Sequence, residues 1–256
     1  MKIQGKQVLV TGGTGGIGLA LARELSRRGA LVMLCGRNAP SLERALATVP
    51  HARGLVADLT QQSGRQQLRD AVDAQGGLDV LVSSAGTEFQ REFAKQDAAN
   101  LERDLYERAA RACFTARDHG GGLVTCSFVN LMGTVLSAYA LLPALSGRSG
   151  TLVHVRTRLA CSPADDACVC AASRSALDAW YRSLRRSAAR DRVRVVEVPP
   201  PSEALEMGAS SGEETGAAEA VARAIAEGVA KDRTQLAFGA ARFLSWLAYR
   251  RASASS

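Results

Sequence analysis

No apolar run in this chain approaches the roughly 20 residues that a membrane-spanning helix requires, so the sequence predicts no span. Nor is there a paired C-x-x-C spacing. Six cysteines (Cys35, Cys113, Cys126, Cys161, Cys168 and Cys170) are scattered along 256 residues; the last three, with His154, offer only a C-x-C and no second pair, which argues against a metal site. Aromatic residues are few at 5%, and the basic residues are nearly all arginines, since only Lys2, Lys6, Lys95 and Lys231 are lysines. Those arginines carry the net charge of +7 but spread along helices without interleaved aromatics. Solvated helix faces and a phosphate-bearing ligand account for them better than nucleic acid does. The stretch Met1 to Gln7 lacks an extended apolar region and a small-residue cleavage site, so a secretory leader is not expected. The expected location is the cytoplasm, with free thiols.

What is present is an alternation of strand-like and helix-like segments. Strands are expected at Gln7 to Thr11, Leu31 to Gly36, Leu55 to Asp58, Leu78 to Ser83, Thr151 to Val155, Val193 to Val198 and Leu236 to Phe238. Helices are expected at Gly16 to Arg28, after Pro40, Ser63 to Ala74, Val124 to Leu145, Ala167 to Ala189 and Ala217 to Ala230, with a final apolar one around Phe243 to Tyr249. Uninterrupted apolar runs such as Val8-Leu9-Val10 and Val80-Leu81-Val82 read as central parallel strands covered on both faces. The fold class is therefore α/β, a doubly wound parallel sheet with helices on both faces, of Rossmann type, forming one domain over residues 1–256. The Gly/Ser-rich stretch 202–216 is expected to be a mobile loop.

Thr11-Gly12-Gly13-Thr14-Gly15-Gly16-Ile17-Gly18 falls between the first strand and the first helix. Glycines there let backbone amides at a helix N-terminus approach a pyrophosphate. At the end of the second strand, Leu34-Cys35-Gly36-Arg37-Asn38 offers an arginine and no acid. That composition suits the 2′-phosphate of NADP(H) and lacks the carboxylate that would bind the ribose hydroxyls of NAD.

The pattern T-G-x-x-x-G-x-G resembles the short-chain dehydrogenase/reductase superfamily, and further matches follow in that family's order over nearly the whole chain. The resemblance implies cofactor contacts from Thr11, Gly12, Thr14, Gly16, Ile17, Gly18, Arg37, Asn38, Asp58, Leu59, Ser84, Ala85, Gly86, Arg174 and Pro200. Asp58-Leu59 matches the adenine-contacting aspartate segment, and Ser83-Ser84-Ala85-Gly86 is similar to the N-N-A-G turn. It also implies a small-molecule substrate and a homo-dimer or tetramer, built through the helices that carry Asn130 and Arg174. A segment at 106–129 reads as an insertion.

At the catalytic end the resemblance is broken. The family uses a serine, a tyrosine, a lysine and an asparagine. Asn130 keeps the asparagine, and Thr157 stands at the serine position and retains a hydroxyl. Val169-Cys170-Ala171-Ala172-Ser173-Arg174-Ser175-Ala176-Leu177 resembles V-Y-x-A-S-K-x-A-L, so Cys170 replaces the tyrosine and Arg174 the lysine, one helical turn apart. A thiol is acidic enough for proton transfer, but its sulfur ends one bond beyond Cβ and leaves a void where a phenol oxygen would stand. Arginine can hydrogen-bond a ribose but stays charged. Three readings remain: an NADP(H)-dependent oxidoreductase with a degenerate tetrad acting on a carbonyl or alcohol; a non-redox cyclase, dehydratase or isomerase; and a non-catalytic NADP-binding subunit.

Overall fold

In the computed structural model, residues 1–85, 131–156, 168–199, 216–234 and 236 are described, with only the helical backbone for 168–171. In chain order the elements are β1 (Gln7–Thr11), α1 (Gly16–Arg27), β2 (Leu31–Gly36), α2 (Ala39–Leu46), β3 (Arg53–Val56), α3 (Gln62–Ala74) and β4 (Val80–Ser83). They continue with α4 (Thr134–Ser146), β5 (Thr151–Val155), α5 (Cys168–Ala188), β6 (Arg194–Val198) and α6 (Gly216–Ala230). The strands form one sheet in the order β3-β2-β1-β4-β5-β6, and every neighbouring pair is parallel.

Period-2 geometry divides the apolar strand residues between two cores. Val8, Val10, Val32, Leu34, Val80, Val82, Val153, Val155, Val196 and Val198 face α1, α2 and α6. Leu9, Met33, Cys35, Leu81, Leu152 and Val195 face α3, α4 and α5. This two-sided burial is what the uninterrupted apolar runs encode. Helix α1 stops where Gly29, at φ +83, turns the chain out of the helix, and the Gly29 and Ala30 amides donate to the carbonyls of Ser26 and Leu25.

Several expected boundaries shift. The third strand runs over Arg53–Val56, two residues upstream of the expected Leu55 to Asp58. Pairing with β2 ends at Gly36 and Val56, and Asp58 folds into a turn in which its Oδ1 accepts from Thr60 N at 3.0 Å and Thr60 Oγ1 at 2.7 Å. The edge strand is largely exposed, so its sequence lacks the apolar signal that marks β1 and β4. Of the helix expected at Val124 to Leu145, the described part begins with a wide turn at 131–133 and runs as α-helix from Thr134. Gly216, assigned by sequence to the mobile loop, opens α6. Of the strand expected at Leu236 to Phe238 only Leu236 lies among the described residues; it is buried, and its amide reaches Glu197 O at 3.4 Å. The 106–129 segment, residues 202–215 and the last apolar helix lie outside the described residues.

Candidate functional site

The sheet reverses its direction of winding between β1 and β4. A crevice forms at the carboxyl ends of the strands at such a switch point. Here the turn 12–15 and the start of α1 lie on one side of that crevice, and Ser84-Ala85 on the other. Gly12 adopts φ +71, and a Cβ on it would lie 2.7 Å from backbone atoms of Ser84 and Ala85, so only glycine fits. A Cβ on Gly18 would come within 2.5 Å of the Gly12 carbonyl, so its absence lets α1 pack directly under the turn.

Gly15 differs from these two. It precedes α1 with extended backbone, and nothing lies within 4 Å of where its Cβ would be. Neither backbone strain nor protein packing asks for glycine there. No side chain caps α1 and its first turn carries no acid, so the leading amides present their positive end to that open space. The arrangement fits a pyrophosphate.

An adjoining groove is lined by Gly12, Thr14, Cys35, Gly36, Arg37, Ala57, Asp58, Leu59, Thr60, Ala85, Gly133 and Thr134. Gly12, Thr14, Arg37, Asp58, Leu59 and Ala85 thus border one groove. The Thr14 methyl lies 2.7 Å from where a Gly36 Cβ would be, so glycine at 36 keeps the turn against β2. Arg37 is exposed at the groove mouth. Cys35 is buried in its wall, and burial pushes its thiol up to about 12, so it is a lining group and not a thiolate.

Other expected residues have structural duties. Thr11 is buried and donates its hydroxyl to Val82 O at 3.2 Å, tying β1 to β4. Asn38 Oδ1 accepts from Ser41 N at 2.9 Å as the N-cap of α2. Ile17 sits in the core beneath the turn, Gly16 has φ +53 and begins α1, and Ser84 donates its amide to Thr11 O. Gly86, Asn130, Thr157 and Pro200 lie outside the described residues. Cys170 is in the first turn of α5, and Arg174 follows one turn on, half-buried. Among the described residues no three His, Cys, Asp or Glu groups cluster as metal ligands. Cys35, Gly36, Ala57, Thr60, Gly133 and Thr134 were not anticipated as site residues. Gly36 and Thr60 adjoin anticipated ones, whereas Gly133 and Thr134 arrive from far along the chain.

Beside this end of the sheet lies a buried polar cluster. His154 on β5 pairs through Nε2 with Asp178 Oδ1 at 3.2 Å and stacks on Tyr181 with ring centroids 3.8 Å apart. Arg156 grips the other carboxylate oxygen through Nε at 2.7 Å and a second guanidinium nitrogen at 2.5 Å. Burial pushes the imidazole below its ordinary pKa, outweighing the pull of Asp178. Burial opposes ionisation of Asp178, but hydrogen bonds from His154 and Arg156 and the Arg156 charge outweigh it, holding the carboxyl below its usual range. The Arg156 bridge ties the end of β5, one residue before Thr157, to the helix that carries Cys170 and Arg174.

A parallel sheet in this order, with a glycine turn at its switch point, defines a doubly wound protein of dinucleotide-binding type. The short chain dehydrogenase family profile matches residues 6–120 and 123–216. The chain belongs to that family. It is 30% identical over 203 residues to the oxidoreductase DltE of Bacillus subtilis, covering 78% of this chain and 73% of that protein. It is 28% identical over 202 residues to an oxidoreductase of Staphylococcus epidermidis, covering 78% of both. Among solved structures, a short chain dehydrogenase/reductase family protein superposes with a TM-score of 0.68 at 27% identity, covering 92% of this chain and 96% of that one.

Proposed function

We propose that the protein is an NADP(H)-binding oxidoreductase of this family, acting on a small carbonyl or alcohol substrate with an altered catalytic set. The observation that carries the cofactor choice is Arg37 in the lining of the groove that also holds Asp58 and Leu59, at the end of a strand that offers no carboxylate of its own. NADPH, when bound, supplies the hydride. The leading amides of α1 hold the pyrophosphate, Arg37 the 2′-phosphate, and Asp58 and Leu59 the adenine. Arg174 stays charged and serves as a ribose hydrogen-bond donor. With a thiol in place of the phenol at position 170, the proton comes from bulk solvent through a water relay, for which Thr157 and Asn130 supply the hydrogen-bonding groups. The exposed Tyr139, 55% accessible and in edge contact with Trp180 at 5.6 Å, supports a homo-dimer or tetramer through α4 and α5.

A second reading, a non-redox cyclase, dehydratase or isomerase, is favoured by the loss of the tyrosine at Cys170. Calorimetry with NADPH and NADH, followed by anaerobic incubation with NADPH and a panel of ketones, quinones and enones, separates the two. The oxidoreductase reading expects tighter binding of NADPH and consumption of reduced nicotinamide. Arg37→Ala should weaken NADPH roughly tenfold to a hundredfold, the worth of a charge-assisted contact, and leave NADH unchanged. Binding without hydride transfer to any carbonyl moves the assignment to the non-redox enzyme or to a non-catalytic NADP-binding subunit, and absence of NADPH binding overturns the oxidoreductase reading and leaves the non-redox one standing.

A further inference from the structure

Thr134 stands out among the groove-lining residues. It is only 5% exposed, it borders the groove, and its Oγ1 has no hydrogen-bond partner among the described residues. A buried hydroxyl without a partner costs free energy, and valine would fill the same shape without that cost. The other polar residues of the groove contrast with it: Asp58 already accepts twice from Thr60, and Arg37 is solvated. Ser137, also buried and without a partner, lies one turn further along α4 and does not border the groove.

We propose that Thr134 is a further cofactor-binding residue, whose hydroxyl completes its hydrogen bonding on the adenosine moiety and not on the 2′-phosphate. It places a polar contact from α4 on an adenosine moiety otherwise bordered by residues 12–60, Ala85 and Gly133. This rests on the NADP(H) reading of the groove. The free protein stores an unmade hydrogen bond with the hydroxyl shielded from the groove, and a change of χ1 rotamer that turns it toward the groove lets ligand binding make that bond.

Thr134→Val tests it with two readouts of opposite sign. Without ligand, the variant should unfold at the same temperature as the wild type or higher, because an unsatisfied group has been removed. With adenosine 2′,5′-bisphosphate, and equally with adenosine 5′-monophosphate, calorimetry should give a Kd about fivefold weaker than wild type, the worth of one neutral hydrogen bond. Thr134→Ser should restore the affinity. A lower unfolding temperature of the free valine variant, or unchanged affinity for both nucleotides, overturns the proposal. So does a weakening seen only with the bisphosphate, which would put the hydroxyl on the 2′-phosphate. Failure of the wild type to bind either nucleotide overturns the underlying NADP(H) reading instead.

Discussion

His154 shows how a single buried side chain writes a pH dependence into the fold. Its imidazole is 3% exposed and depressed by burial, so the native form is neutral. As the pH falls through about 6.5, the unfolded chain takes up a proton that the native chain does not, and stability falls. Asp178 is charged in the native state, yet its contribution runs in the same direction: it is present above about 3.9 and is lost as the pH falls through the lower folded value. Urea unfolding from pH 7 to 5 should therefore show a loss of up to about 1.4 kcal/mol per pH unit from this one imidazole, the value of one linked proton. His154→Gln should be less stable at neutral pH, with a flatter profile over that interval. Parallel profiles for the two proteins would remove His154 as the source. Sequence pointed to His154 only as a conceivable metal ligand; its partner lies 24 residues away on another element, and no local pattern announces the pairing. Asn38 illustrates the reverse: the sequence offered it only as a ligand contact, whereas its Oδ1 caps α2.

Between elements, the close seating of α3 on the turn after β3 positions the adenosine groove. A Cβ on Gly64 would lie 2.1 Å from the Asp58 carbonyl oxygen and 3.0 Å from its amide nitrogen. Backbone cannot yield as a flexible side chain can, so Gly64→Ala should push the Asp58–Thr60 turn toward the groove. The expected result is nucleotide binding weakened tenfold or more in calorimetry, with a stability loss of about 1–3 kcal/mol in the range of an overpacked core. Retained affinity in a folded variant would show that the turn is set from elsewhere. Elements buried on both faces, β1 and β4 above all, were legible because their burial is written in consecutive apolar residues. The bounds of the edge strand β3 and the site role of the start of α4 were not. The strand is exposed, and the helix start gains its role from a contact with residues more than seventy positions earlier, which only the closed sheet creates.

At the scale of the molecule, one sheet serves two cores, and each strand lends alternate side chains to both. Leu21 anchors the face under α1, and Leu68 the face under α3; both are fully buried. Leu21→Ala and Leu68→Ala should each cost about 3 kcal/mol, and the double variant about their sum, because the two sites lie on opposite sides of the sheet. Denaturant unfolding followed by fluorescence and by circular dichroism should remain one coincident transition in all three. Two separated transitions would show that the faces unfold independently and that the single-domain reading fails.

Helix α1 packs mainly against α6, the last helix described, whose Val221, Ala222, Ile225, Ala226 and Val229 share its core. The turn that receives the pyrophosphate is thus made within the first twenty residues, but the part of its helix that α6 covers stays open until about residue 229 has been added. On the ribosome, at roughly 5–20 residues per second, that surface would be open for some ten seconds or more, a period when a chaperone or an early nucleotide has the most to protect.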